Sequence, residues 1–208
     1  MALCIKSIYD TSESTLAEGV NMTAPIRSFI AFDIGNESVL QKISGVQDLL
    51  VKTGADLKAV DPANIHITMR FLGDIAPTMV DQIFEQMKKV QFSAFDAKIQ
   101  GLGAFPTVHY PRVVWAGITE GAEQSRNIFS QLEPGLRGLN FAPDSKGFSP
   151  HLTIARVRSA RSKAELAKFI SENADCDFGV VRADCLRLKQ SLLTPKGPIY
   201  TTLREHCP

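Results

Sequence analysis

Apolar residues recur along this chain with two different periods, and the switches between them predict the order of elements. Arg27 to Asp33 reads as a strand. Val39, Leu40, Ile43, Val46 and Leu50 then recur at helical spacing and predict a helix over about 37–53, ended by Gly54. Strands are predicted near 57–60 and 65–71, followed by a second helix with the stripe Val80, Ile83, Phe84, Met87 and Val90 and with Pro77 near its start. Strands near 95–103 and 112–118 flank a loop rich in proline and aromatics, and a third helix over about 122–137 turns Ile128, Phe129, Leu132 and Leu136 inward. A strand over about 150–157 leads to Ser162-Lys163-Ala164-Glu165, a capping box opening a fourth helix that buries Leu166, Phe169 and Ile170. Strands near 178–182, 184–192 and 198–204 complete the chain, the last two joined by a turn at Pro195-Lys196-Gly197-Pro198. Strands and helices alternate irregularly, with several strands joined by short turns, which predicts an α+β fold with antiparallel sheet.

One pattern occurs twice. His66-Ile67-Thr68-Met69 and His151-Leu152-Thr153-Ile154 each lie in a predicted strand that alternates polar with apolar residues, so His and Thr share one strand face and the apolar residues face the core. Each copy is followed by a predicted helix. This predicts a bilobed molecule: two similar lobes, each with an antiparallel sheet and flanking helices, around a central groove with one motif on either side. Residues 1–25 are polar, unpatterned and rich in Ser and Thr, and read as an N-terminal extension; 26–208 read as a single bilobed domain.

Composition narrows the partners. With 23 basic and 22 acidic side chains the net charge is +1, so a nucleic-acid contact has to be local, at an end or along a short single strand. Cys4, Cys176, Cys185 and Cys207 are scattered and form no CxxC pair, which reads as reduced thiols in a cytoplasmic protein. No apolar run reaches membrane-spanning length, so no membrane partner is expected. Nothing demands more than a monomer.

Two imidazoles and two hydroxyls around one groove suit acid–base chemistry at a phosphate ester. In-line displacement at phosphorus needs a base beside the attacking oxygen and an acid beside the leaving oxygen, on opposite sides of the reaction centre. A single strand histidine is more often structural than catalytic; the recurrence of His-x-Thr reverses that balance. Thr68 and Thr153 are placed to donate to phosphoryl oxygens. By strict alternation Arg70 shares the face of His66, whereas Arg156 reaches the groove only if its strand bends or bulges; either is a candidate phosphate contact. Arg158 reads as a solvated charge. Phe105, Tyr110 and Phe148 are candidate base or ribose contacts. Trp115 reads as packed, with an indole N–H that needs a partner, and His109 and His206 receive no role. There is no Walker A run, no Gly-x-Ser-x-Gly elbow and no complete dinucleotide fingerprint, and neither motif supplies the extra ligands of a zinc site. No metal and no cofactor are expected.

Asn64 to Asp74 (NIHITMRFLGD) and Pro150 to Arg156 (PHLTIAR) resemble the two signatures of the two-histidine phosphoesterases, and more narrowly of the RNA 2′,3′-cyclic phosphodiesterases of the LigT/ThpR-like, "2′-5′ RNA ligase" family. The resemblance extends to Arg27–Asp33, Arg112–Gly117 and Ser191–Tyr200, and so covers about 27–204. It implies a bilobed, metal-free fold that opens 2′,3′-cyclic phosphates on RNA ends, tRNA fragments among them, to leave 2′-phosphates, with weak 2′-5′ joining in reverse. It further implies that His66 is the proton donor to the departing 3′ oxygen, that His151 activates water, and that Thr68, Thr153 and Arg156 contact the phosphate. Two other functions fit the residues: a phosphodiesterase of small cyclic phosphates, such as an ADP-ribose derivative or a nucleoside 2′,3′-cyclic phosphate, and a non-catalytic module that holds RNA ends.

Overall fold

The computed structural model describes residues 24–144, 147–195 and 197–208, so the predicted extension lies almost wholly outside the described residues. Its strands are β1 (Ile26–Asp33), β2 (Leu57–Ala59), β3 (His66–Ile75), β4 (Phe95–Thr107), β5 (Tyr110–Ile118), β6 (His151–Val157), β7 (Asp177–Ala183), β8 (Leu186–Thr194) and β9 (Gly197–His206). Its helices are α1 (Glu37–Lys52), α2 (Met79–Met87), α3 (Ala122–Gly138) and α4 (Lys163–Glu172). All strand pairs are antiparallel, in the order β7-β4-β5-β6-β3-β1-β8-β9, as the alternation of patterns predicts. No described helix is long and apolar enough to cross a membrane.

The two halves of the sheet meet at a narrow seam. β3 and β6 register through Ile67 and Leu152 alone, and beyond that point β2 takes over the edge of β6, with Ala59 opposite Ala155 and Leu57 opposite Val157. The sheet therefore consists of β3-β1-β8-β9 on one side of the seam and β6-β5-β4-β7 on the other. Ile67, Met69, Leu152 and Ile154 are almost completely buried and point into the core. The helices cross over: α1 follows β1 yet packs on β6 and β7, and α3 follows β5 yet packs on β3 and α2. The halves thus share one core, and neither can peel away without exposing the other's apolar face.

Local chemistry sets the ends of these elements. The Asn36 side chain accepts from the Ser38 and Val39 amides at the start of α1, whose Val39, Ile43, Val46 and Leu50 are buried. This matches the predicted stripe. The helix of the proposed capping box is present, but the box is not. Ser162 sits in the left-handed region with φ of 47° and makes no side-chain cap bond, because the entry to α4 is held by a tertiary contact, Arg161 Nε donating to the Gly54 carbonyl at 2.9 Å. The predicted loop between β4 and β5 contracts to Val108 and His109, since pairing continues outward to Thr107 opposite Tyr110.

The expectation of reduced thiols is corrected for two of the four cysteines. Cys185 and Cys207 form a disulfide across the β8–β9 hairpin, Cys176 is free, and Cys4 lies outside the described residues. The pairing follows from a register shift between Leu188 and Lys189, which sets Leu186 opposite His206 and hence Cys185 opposite Cys207. The bridge ties the last strand down across a sequence separation of 22. Reducing it, or Cys185→Ser, is expected to cost about 3 kcal/mol of stability, a fall of roughly 6–12 °C in Tm for a domain of this size. A Tm indifferent to reductant would show that the bridge contributes nothing.

Candidate active site

The two histidines are held in the same way. Nδ1 of His66 donates to the carbonyl of Asn64 at 2.8 Å, and Nδ1 of His151 donates to that of Ser149 at 2.7 Å, each two residues upstream. This fixes the tautomer and leaves Nε2 of both rings available for proton transfer. His66 packs against Phe29 at 4.7 Å between ring centroids, with Tyr200 edge-on at 5.3 Å. His151 has Phe105 edge-on at 4.9 Å and Trp115 at 6.3 Å. Trp115 lies so close over β4 that a β-carbon at Gly103 would fall 2.1 Å from its ring, so only glycine permits this wall. The Trp115 indole N–H is buried and finds no partner among the described residues.

The seam brings the motifs together. Continuing the Ile67–Leu152 register by one residue each way sets His66 opposite Thr153 and His151 opposite Thr68, all four on the face away from the core. A groove of about 1050 Å³ opens there, lined by His66, Thr68, Thr153 and Arg156 together with Phe71 and Tyr200. His151 does not line that open groove and stands across the seam from His66. Its charge is nevertheless felt at His66.

A bulge at the same place in both motifs decides which downstream side chain joins the groove. On β3, Thr68 pairs with Ala31 but Arg70 with Ile30, leaving Met69 as the extra residue; on β6, Thr153 pairs with Trp115 but Ala155 with Val114, leaving Ile154. Each extra residue reverses the alternation. The fifth residue after each histidine, Phe71 and Arg156, therefore faces the groove, and the fourth does not. This corrects the placement of Arg70. Its guanidinium turns to the helix side, where it pairs with Glu133 of α3 at 2.7 Å and donates to the carbonyls of Phe71 and Ala142. The second bulge is buttressed: the Ile154 carbonyl accepts from the Val60 amide at 2.9 Å and from the buried Gln47 side chain at 2.8 Å.

The candidate aromatics part company. Phe105 is a wall behind His151. Phe148 stacks face to face on Phe129 at 4.6 Å, where apolar burial claims it, and it does not line the groove. Tyr110 is largely exposed and belongs to a separate cleft beyond the end of β6. His109 occupies the β4–β5 turn, and Nε2 of His206 meets the Val90 carbonyl at 3.1 Å. Pattern reasoning assigned nothing to Arg27, Phe71, Tyr200 or Gln47, all of which line the groove. The Arg27 guanidinium lies 4.6 Å from the centre of the Phe71 ring. The offset shared by Phe71 and Arg156 was the available signal for Phe71.

Electrostatics favour neutral rings in the free protein. Burial pushes the pKa of His66 below its ordinary value; the Asn64 carbonyl and the Asp33 carboxylate pull the other way, and Lys189 and His151 add to the lowering. Burial likewise lowers His151 against the Ser149 carbonyl. Asp33 is engaged by Lys189 at 2.6 Å. Burial raises the Tyr200 hydroxyl while the nearby Arg156 and Arg27 draw it down. Among the described residues, the one group of three side chains with metal-ligating spacing is Cys185, Glu205 and Cys207, outside the groove and including the disulfide.

The family profile described as LigT like Phosphoesterase matches residues 34–115 and 117–200, each segment holding one His-x-Thr motif. The chain is 39% identical over 164 residues to the RNA 2′,3′-cyclic phosphodiesterase of Aeropyrum pernix, covering 79% of this chain and 93% of that protein. It is 39% identical over 179 residues to the protein of the same name from Archaeoglobus fulgidus, covering 86% and 98%. Among solved structures, TT0787 of Thermus thermophilus superposes with a TM-score of 0.72 at 26% identity, covering 88% of this chain and 97% of that one. Escherichia coli LigT bound to 3′-AMP shares the fold, with a TM-score of 0.70 at 18% identity over 88% and 98% of the two chains. With the paired motifs, the seam that joins them and these matches together, the chain belongs to the LigT-like phosphoesterase family.

Proposed function

We propose that the protein hydrolyses 2′,3′-cyclic phosphate ends of RNA to 2′-phosphates. The observation that carries this is the pair of imidazoles flanking one seam, each with Nδ1 tied to a carbonyl and Nε2 free. His151 takes a proton from water as the water oxygen bonds to phosphorus. On the far side the bond from phosphorus to the 3′ oxygen breaks, and His66 donates the proton that makes the 3′ hydroxyl. Thr68, Thr153 and Arg156 hold the non-bridging oxygens as charge gathers on them. A 5′ hydroxyl in place of water gives a 2′-5′ linkage by the same step. The relatives carrying the name RNA 2′,3′-cyclic phosphodiesterase support the substrate class. So does a groove at the upper end of the range that holds ordinary small ligands, which favours an RNA end over a lone cyclic mononucleotide.

The simplest form of this reading is a cytoplasmic monomer built on 26–208 that needs neither metal nor cofactor. The Cys185–Cys207 bridge weighs against a strongly reducing compartment. The deciding experiment is product identity: an RNA oligomer with a cyclic end should yield a 2′-phosphate, distinguished from the 3′ isomer by mass and phosphatase sensitivity. A 3′-phosphate, or turnover of mononucleotides alone, would overturn the assignment.

The rate should be bell-shaped in pH, with its optimum displaced to the acid side. In kcat/KM the acidic limb reports protonation of the base and the alkaline limb deprotonation of the acid, both in the free enzyme. Burial lowers both histidines, so both limbs move down and the optimum in kcat/KM is expected below ~6.5. In kcat the anionic phosphate favours the imidazolium and the profile should move back up. A kcat/KM optimum well above neutrality would be incompatible with these two groups.

A further inference from the structure

We infer that the cleft beyond the end of β6 is a second, non-catalytic site that binds the sugar-phosphate backbone of the RNA upstream of its reacting end; this rests on the function proposed above. The cleft, of about 220 Å³, is lined by Arg112, Arg158, Arg161 and Lys163 with Tyr110 beside them, and none of its described lining residues is a carboxylate. Four cations converge where the chain as a whole carries a net charge of +1.

Ion pairing separates these arginines from the rest. Arg70, Arg126, Arg137, Arg182, Arg187 and Arg204 each pair with a carboxylate. The remaining arginines are Arg27 and Arg156 in the groove and Arg112, Arg158 and Arg161 in the cleft, and among the described residues none of these five has a carboxylate partner. Neighbouring like charges repel, so a fold that neutralises its other arginines and leaves five open at two adjoining places is built for an external anion at both.

The cleft's cations are also positioned. Arg161 spends Nε on the Gly54 carbonyl at 2.9 Å, which orients its terminal nitrogens, and the Lys163 ammonium sits 3.6 Å from the centre of the Tyr110 ring. Tyr110 is 61% exposed, presenting an aromatic surface for a ribose or base. The two sites are joined through one strand end: Arg156 belongs to the groove and Arg158 to the cleft, two residues and about 7 Å of extended chain apart. That separation is of the order of one nucleotide repeat. A strand whose terminal phosphate lies at Arg156 therefore has its next phosphates within reach of the cleft.

The test compares the protein with R112A/R158A and R158E/K163E variants on two substrates, a nucleoside 2′,3′-cyclic phosphate and a cyclic-ended RNA of about eight nucleotides. For the oligomer, kcat/KM should fall on the order of tenfold or more, and its log–log salt dependence should become shallower by about 0.7 for each phosphate contact removed. Mononucleotide turnover should stay within about twofold. Unchanged oligomer kinetics and salt slope would overturn the inference, as would an equal loss on both substrates; a cleft meant for an acidic protein partner gives the first of these outcomes. Failure of the unaltered protein to turn over either substrate would instead remove the proposed function.

Discussion

His66→Ala and His151→Ala are each expected to lower kcat/KM on a cyclic-ended RNA by about 10² to 10⁴, and their pH profiles should fail on opposite sides. Without His151 no side chain accepts the water proton, so the acidic limb disappears and the residual rate follows hydroxide. Without His66 the 3′ oxygen departs unprotonated, so the alkaline limb disappears. The double variant should lose little more than the worse single one, because both groups serve the same displacement. Neither ring anchors the core: both lie on the groove face, while Ile67 and Leu152 beneath them are fully buried, so the variants should fold. A single variant retaining more than about a tenth of the activity, or two variants losing the same limb, would sink the division of labour between acid and base.

Two arginines with similar sequence surroundings should behave as opposites. Arg156→Ala is expected to reduce kcat/KM on the order of 10²-fold, the scale for removing a donor to a developing oxyanion, with little change in Tm, since its side chain is exposed in the groove. Arg70→Ala should do the reverse. It leaves Glu133 of α3, only 11% exposed at its side chain, with no guanidinium closer than that of the largely exposed Arg137 at 3.6 Å, so the loss should approach the about 3–5 kcal/mol that breaking a buried pair costs. Below its lowered Tm that variant should keep near-normal kinetics. The double variant Arg70→Met with Glu133→Leu should recover much of the stability, because no buried charge remains. Strict strand alternation assigns the two arginines the other way round, so thermal melts beside steady-state kinetics test the paired bulges at Met69 and Ile154 directly.

Much of the site was readable from spacing. His66, Thr68, His151 and Thr153 were found because a two-residue period needs only short-range sterics, and those hold in any strand. The buried stripe of α1, from Val39 to Leu50, was readable for the same local reason. Where the readings failed, a distant partner decided. Ser162 has the residue type of a helix cap and the spacing of a capping box, yet contacts around Gly54 hold it in a left-handed conformation. Cys185 and Cys207 looked scattered because their pairing depends on a one-residue register shift inside a hairpin. Phe148 looked available for a base until Phe129 claimed its face.

By itself, the sequence determined the α+β class, the repeated strands with their histidines and threonines outward, and an overall charge too small for indiscriminate polyanion binding. These properties follow from residue identity and near-neighbour periodicity. Tertiary structure alone decided that the strands meet at Ile67 and Leu152, that Arg156 enters the groove while Arg70 is spent on Glu133, and that Tyr200, Arg27 and Phe71 complete the walls. The reason is physical: a bulge, a register or an ion pair depends on the free energy of groups far apart in the chain, and only the folded core brings those groups into contact.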